Sequence, residues 1–236
     1  MVLVTGNGRG GTNLALEMLR ASGQFMPSIQ PEDRGFFNEV SDNLAENYLT
    51  KLSVEHPTVT LENIDSFIEA YDHFKVLFVF RHPYDTVMAK VYRGRPDGDN
   101  TDGKAAKDHD AKVAIEMVKK NLMFYMALKE FSPDRVYKVH MEDIVLNTPS
   151  VANDLCNWFD LEFKKEMLEP WKYSRNIYHN KRYKQKPNKM QVGLFERYDT
   201  IYGGYFKGRH LKTQLENSGL LNLYYKIDEH KTLRDI

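Results

Sequence analysis

Glycines crowd one short stretch near the start of the chain, where residues 6–11 read Gly-Asn-Gly-Arg-Gly-Gly. The apolar run Val2-Leu3-Val4 precedes this stretch, and a helix-like pattern follows it. A strand, a glycine loop and a helix N-terminus together favour anion binding, because backbone N–H groups and the positive end of the helix dipole face the same point. Glycine lets the backbone approach an anion closely, and Arg9 adds a cation with several planar donors. The stretch therefore predicts an anion-binding loop; the alternative is a turn that only joins a strand to a helix.

Two common nucleotide-binding loops fit this stretch poorly. The nucleoside-triphosphate loop G-x-x-x-x-G-K-[ST] matches at Gly6 and Gly11. However, Thr12 stands in place of the lysine and Asn13 in place of the magnesium-binding hydroxyl, which disfavours ATP hydrolysis. The dinucleotide loop G-x-G-x-x-G also matches, but it requires a second strand that ends in an acidic residue about twenty positions later. Residues 24–33 contain two prolines and make a poor strand.

Two later apolar runs predict strands that end next to charged residues. The run Lys75–Phe80 shows no polar alternation, which is typical of a strand covered on both faces in a parallel sheet. Arg81 follows it directly. The run Val136–His140 is the next such strand, and Glu142 and Asp143 come soon after it. On a strand-to-helix turn, we expect these two carboxylates to bond backbone and neighbouring basic groups rather than to form an acid–base pair.

Helical patterns occupy much of the remaining chain. They begin near residues suited to capping and carry apolar residues three or four positions apart. Helices are predicted after Thr12, from Ser41 through Leu44, Tyr48 and Leu52, from Thr60 through Ile64 and Phe67, over 112–131, after Thr148-Pro149, and over 211–224. The alternation of strands and helices predicts a single α/β domain over residues 1–236, with a central parallel sheet flanked by helices.

Composition limits the class of protein. With 236 residues, 42% of them hydrophobic, the chain is long enough for one sizeable core. Lys and Arg number 33, as do Asp and Glu, so a protein that binds nucleic acid through overall positive charge is excluded. No run approaches the about eighteen apolar residues of a membrane span, and the single cysteine forms no internal disulfide. We expect a soluble cytoplasmic protein, or a soluble catalytic domain without its membrane anchor.

Three segments, in this order, resemble the motifs of the sulfotransferase family. Residues 8–14 (Gly-Arg-Gly-Gly-Thr-Asn-Leu) resemble its 5′-phosphosulfate loop, and residues 79–85 (Val-Phe-Arg-His-Pro-Tyr-Asp) resemble its 3′-phosphate motif. Residues 139–144 (Val-His-Met-Glu-Asp-Ile) resemble its Tyr-Glu-Asp-Leu segment. The resemblance implies a P-loop NTPase-like three-layer sandwich. It also implies transfer of a sulfuryl group from 3′-phosphoadenosine-5′-phosphosulfate (PAPS) to a hydroxyl or amine of a small-molecule, glycan or peptide acceptor.

The resemblance also assigns roles to the matching residues. Arg9 would contact the bridging and sulfuryl oxygens, where charge develops on the leaving group. The 5′-phosphate would be held at the helix N-terminus by Gly10, Gly11, Thr12 and Asn13. Arg81 would hold the 3′-phosphate. Because the histidines show no H-E-x-x-H or comparable spacing, no metal site is predicted.

A general base is needed to take the proton of the acceptor. Glu39 is the first candidate, because some family members place a catalytic glutamate or histidine after the first helix. The alternative for Glu39 is a helix-start charge before the Ser41-capped helix. His140 is the second candidate, since it ends a strand that should point at the site. The alternative for His140 is a packing role.

The chain departs from the family pattern at two points. The family usually places a serine eight residues after the motif arginine, and that residue here is Ala89. The contact that the serine hydroxyl would make with the 3′-phosphate is then missing, or Thr86 or Lys90 supplies it. The basic closing loop of the family has two candidates, the pair Lys181-Arg182 and the run Lys207-Gly208-Arg209. These departures leave two alternatives, a P-loop nucleotide or metabolite kinase and a non-catalytic nucleotide-binding protein.

Overall fold

The computed structural model describes residues 1–27, 48–53, 63–70, 73–91, 111–170 and 208–227. The strands in these ranges are β1 (Val2–Gly6), β2 (Met26–Pro27), β3 (Tyr48–Ser53), β4 (Lys75–Phe80) and β5 (Val136–His140). The helices are α1 (Thr12–Ala21), α2 (Ile64–Ala70), α3 (Pro83–Val91), α4 (Ala111–Phe131), α5 (Met141–Leu146), α6 (Thr148–Phe159), α7 (Gly208–Asn217) and α8 (Leu220–Ile227). A short 3₁₀ helix, Lys165–Leu168, follows α6.

The described strands pair in parallel in one sheet, in the order β2-β3-β1-β4-β5. β1 lies between β3 and β4, with Gly6 opposite Ser53 on one side and Val79 on the other. From β1 the chain first builds the β3 side of the sheet and then crosses to β4. The direction of strand addition therefore reverses at β1. Ligands of open parallel sheets bind at such a switch point, beyond the carboxyl ends of the strands.

Helices cover both faces of the sheet. Because side chains alternate between the faces of a strand, neighbouring residues of β1 and β4 enter two different hydrophobic clusters. Leu3 and Phe78 pack with helices α2, α3, α4, α7 and α8. Val4 and Leu77 pack with α1, α6 and the 3₁₀ helix. The predicted three-layer α/β fold is confirmed, while the single-domain extent over residues 1–236 stays a prediction.

The helix predicted to carry Tyr48 and Leu52 is wrong, because residues 48–53 form strand β3. Leu49 and Leu52 are both buried, but they belong to the clusters on opposite faces of the sheet. Their burial comes from the position of β3 between β1 and β2, where sheet pairing overrides the local pattern. Residues 41–47 lie outside the described ranges.

The helix predicted over 211–224 is in fact two helices, α7 and α8. Gly219 has a φ of 69°, a left-handed conformation that ends α7. The hydroxyl of Ser218 donates a 2.6 Å hydrogen bond to the carbonyl of Leu215 and accepts one of 3.1 Å from the N–H of Leu220. This serine therefore caps the end of one helix and the start of the next.

Candidate active site

The glycine loop joins β1 to α1 at the switch point of the sheet. The N–H of Gly10 donates a 2.8 Å hydrogen bond to the carbonyl of Asn7, which closes the loop into a tight turn. Arg9 (φ 68°) and Gly11 (φ 91°) both have left-handed backbone. Helix α1 starts at Thr12, and in the described part of the chain no side chain caps it. The first N–H groups of α1 are therefore available to an anionic ligand.

Gly6 and Gly11 lie too close to neighbouring atoms for any side chain. A Cβ on Gly11 would lie 2.7 Å from Cγ and 2.9 Å from Cβ of Met141. A Cβ on Gly6, whose φ is 142°, would lie 2.4 Å from the carbonyl oxygen of Val79. The loop is thus pressed against α5 and β4, and glycine is required by space as well as by backbone conformation.

Arg81 connects the end of β4 to the glycine loop. Its Nη1 donates a 2.8 Å hydrogen bond to the carbonyl of Arg9. Arg81 is only 9% exposed. This burial lowers the pKa of its guanidinium, while the nearby carboxylates of Asp85 and Glu142 raise it. A guanidinium carries several N–H donors in a planar arrangement that suits a phosphate. The side chain of Arg9 itself is exposed.

Glu142 holds the turn that follows Arg81. Its Oε1 accepts a 2.8 Å hydrogen bond from the backbone N–H of His82. Glu142 also lies in the first turn of α5, where the helix dipole stabilises a carboxylate. The predicted backbone contact is therefore confirmed for Glu142, whereas Asp143 is exposed.

His140 lies at the end of β5, opposite Phe80 of β4. Its Nδ1 is 3.2 Å from the hydroxyl of Tyr224 on α8, and its ring centre is 5.7 Å from that of Phe80. Tyr224 also packs against His82, at 6.0 Å between ring centres. A cleft of about 1280 Å³ runs along β5, and His82, His140 and Glu142 contribute to its lining. A half-buried imidazole, contacted by a tyrosine of α8, therefore borders this cleft.

Most of the predicted site residues meet at one edge of the sheet. Residues 9–13 and Arg81 lie at the switch point, and His140 ends the neighbouring strand. The predicted base Glu39 and the pair Lys181-Arg182 lie outside the described residues, as does Lys207 of the other basic run.

The hydroxyl of Thr86, one of the two candidates to replace the hydroxyl missing at Ala89, binds the backbone in this structure. Its hydroxyl has one proton, which it donates to the carbonyl of His82 at 3.2 Å. Thr86 is fully buried, and Lys90 is also buried, at 2% exposure. A phosphate accepts hydrogen bonds and donates none, so Thr86 offers it no further donor.

Sequence reasoning missed two residues that support the site, Met141 and Tyr224. Met141 packs against Gly11, and Tyr224 contacts His140. In the sequence, each is one more apolar or aromatic residue at a helical spacing. No local signal separates them from ordinary core residues.

A parallel sheet with a glycine loop and an uncapped helix at its switch point defines an α/β protein with a P-loop-like fold. The model of the sulfotransferase family matches residues 45–165, and the chain belongs to that family. A search of curated protein sequences found no match.

Solved structures of sulfotransferases share the fold of this chain. A sulfotransferase domain from the curacin biosynthetic pathway aligns with a TM-score of 0.61 and 14% identity, over 92% of this chain and 97% of that one. The sulfotransferase domain of the Synechococcus PCC 7002 olefin synthase aligns with a TM-score of 0.52 and 17% identity, over 74% of this chain and 77% of that one. Mouse sulfotransferase SULT7A1, complexed with PAP, aligns with a TM-score of 0.50 and 12% identity, over 90% of this chain and 88% of that one. Identities this low establish the fold alone.

None of the helices in the described ranges is long and apolar enough to cross a bilayer. The longest, α4, has 21 residues and contains six Lys or Glu. In the same part of the chain, no three His, Cys, Asp or Glu side chains are grouped so that they could hold a metal ion.

Proposed function

We propose that this protein transfers a sulfuryl group from PAPS to a hydroxyl or amine acceptor. The observation that carries the proposal is the uncapped start of α1 behind a loop whose glycines leave no room for side chains. Such a loop fits a phosphosulfate, because the ligand replaces the missing cap with its own oxygens. Membership of the sulfotransferase family and the PAP bound to mouse SULT7A1 support the same donor.

The loop residues would bind and orient the 5′ end of the donor. The backbone N–H groups of residues 10–13 would hold the 5′-phosphate, and the exposed guanidinium of Arg9 would contact the bridging and sulfuryl oxygens. In the reaction, the bond from sulfur to the bridging oxygen breaks as the bond from sulfur to the acceptor forms. Arg9 would stabilise the negative charge that develops on the leaving phosphate. Asn13, in place of a magnesium-binding hydroxyl, is consistent with this chemistry.

Arg81 would contact the 3′-phosphate, which distinguishes PAPS from ATP. Its guanidinium lies at the end of β4, beside the loop, where Nη1 donates to the carbonyl of Arg9. Since Ala89 has no hydroxyl and the proton of Thr86 is donated to the carbonyl of His82, Arg81 would make this contact without a hydroxyl beside it. We therefore expect a smaller contribution of the 3′-phosphate to affinity than a serine at position 89 would give.

We assign the general base to His140 and keep Glu39 as the alternative. His140 ends the strand next to β4, borders the cleft and contacts the hydroxyl of Tyr224 through Nδ1. The acceptor would lie in this cleft, and its proton would pass to the base as the sulfur–acceptor bond forms.

The test of the donor is thermal unfolding with four nucleotides. PAP at a hundred times its Kd should raise Tm by about 5 to 10 °C, since binding at that ratio adds about 2.7 kcal/mol. Adenosine 5′-phosphate lacks the 3′-phosphate and should give a smaller shift. ATP with magnesium and NAD serve as controls. A shift with ATP and magnesium but none with PAP would contradict the proposal and favour a kinase.

The test of the base compares two variants that keep the donor loop intact. His140→Ala should lower kcat about a hundredfold, because proton removal from the acceptor loses its base. The Tm shift with PAP should stay unchanged in the same variant. Tyr224→Phe, which keeps the ring and removes the hydroxyl near Nδ1, is the matched control and should lower kcat less. If Glu39→Ala loses kcat while His140→Ala keeps it, the base is Glu39.

A further inference from the structure

Two short hydrogen bonds connect the three segments that form the site. Arg81 Nη1 donates to the carbonyl of Arg9 at 2.8 Å, which ties the end of β4 to the glycine loop. Glu142 Oε1 accepts from the N–H of His82 at 2.8 Å, which ties the start of α5 to the residue next to Arg81. Since parallel strands β1, β4 and β5 end at the same edge, both bonds lie side by side there.

The peptide group between Arg9 and Gly10 is held in place by hydrogen bonds. Arg9 has a φ of 68°, and this left-handed conformation is unfavourable for a residue that carries a Cβ. The turn bond from Gly10 to Asn7 fixes one side of this peptide, and the bond from Arg81 fixes its carbonyl. The backbone at Arg9 sets the direction in which its side chain leaves the loop.

Arg81 in turn is held by its surroundings. It is 9% exposed, so its guanidinium has little room to move. The carboxylates of Asp85 and Glu142 interact favourably with its charge. Glu142 also fixes the backbone directly after Arg81 through the N–H of His82. A change at Glu142 should therefore reach Arg9 through Arg81.

We propose that Glu142 and Arg81 are positioning residues for Arg9, in addition to any contact of Arg81 with the donor. Glu142 fixes the turn at Arg81 and His82, and Arg81 fixes the left-handed peptide of Arg9. The role of Arg9 in turnover rests on the function proposed above. The structural link, which is the connection from Glu142 through Arg81 to Arg9 by two hydrogen bonds, does not.

A double-mutant cycle tests the catalytic part of this proposal. Glu142→Ala should lower kcat about tenfold in the wild-type background, and it should also raise KM for PAPS, because Arg81 would hold the 3′-phosphate. In the Arg9→Ala background, Glu142→Ala should lower kcat less than about twofold, because the effects of substitutions that act through the same group are not additive. Glu142→Gln keeps an oxygen that accepts from His82 and should return kcat to within about threefold of wild type. Equal losses in both backgrounds would overturn the proposal.

Amide hydrogen exchange tests the structural part without any turnover. In Glu142→Ala, amides of residues 6–13 should exchange about tenfold faster than in wild type, relative to those of α6. Glu116→Ala, which removes an exposed carboxylate of α4 paired with Lys119, is the matched control and should leave the loop unchanged. Loop exchange within about twofold of wild type in Glu142→Ala would overturn the link. A wild-type protein without PAPS turnover would refute the proposed function, and exchange would still decide the link.

Discussion

Arg9→Ala is expected to lower kcat for sulfuryl transfer about a thousandfold. Arg9 is the exposed cation of the glycine loop, at the place where charge would develop on the leaving phosphate. The backbone N–H groups of α1 remain in the variant, so the Kd for PAP should rise no more than about tenfold. Steady-state kinetics with PAPS, together with calorimetric binding of PAP, would measure both quantities.

Two controls separate this effect from a loss of structure. Arg9→Lys keeps the charge but loses the planar arrangement of donors, so we expect an intermediate kcat. Arg20→Ala removes an arginine in the last turn of α1, at the far end of this helix from the loop, which pairs with Glu17 at 2.9 Å. This variant should change Tm, and its kcat should stay within about twofold of the wild-type value. If Arg9→Ala weakens PAP binding and leaves kcat intact, Arg9 only binds the donor.

Gly11→Ala is expected to abolish the Tm shift with PAP. The new Cβ would meet Met141 at 2.7 Å from Cγ, and alanine would also be strained at a φ of 91°. The loop or α5 must then move, and the N–H groups at the start of α1 lose their arrangement. Thermal unfolding with and without PAP measures this, because the ligand shift is read against the Tm of each variant.

Gly219→Ala is the matched control for Gly11→Ala. Gly219 has a φ of 69°, and nothing lies within 4 Å of the position of its Cβ. The variant therefore has the backbone strain alone, about 1–2 kcal/mol, and should keep the full shift with PAP. Adding Met141→Ala to Gly11→Ala removes Cγ and should restore part of the shift. A full shift in Gly11→Ala itself would mean that the donor does not use this end of α1.

The sequence allowed β1 and β4 to be predicted, but not β3. β1 and β4 are covered on both faces, so each contains an uninterrupted apolar run, residues 2–4 and 76–80, that is recognisable in the sequence. In β3 the spacing of Tyr48 and Leu52 also fits a helix. Its strand conformation depends on hydrogen bonds to β1 and β2, which no local pattern records.

The glycine loop between β1 and α1 could likewise be predicted, whereas the contacts around it could not. Glycine at several neighbouring positions is a local signal with a direct conformational meaning. The bond from Arg81 to Arg9 spans 72 positions, and its acceptor is a backbone carbonyl, which every residue has. The contact of Tyr224 with His140 spans 84 positions. Such pairs follow from the packing of elements that are distant in sequence, and the types of the residues involved do not reveal them.

The central place of β1 in the sheet has a consequence for how the protein is made. Val2 pairs with Leu49 on one side and with Lys75 on the other, so β1 precedes both partners by many residues. During synthesis, β1 has no partner until β3 has left the ribosome, and it lacks its second partner until the chain beyond β4 has been released. Contacts this distant in sequence form slowly, and an unpaired apolar strand is prone to aggregate in the meantime. Cotranslational folding of the glycine loop is therefore delayed, and chaperones that shield nascent chains should raise the yield of folded protein.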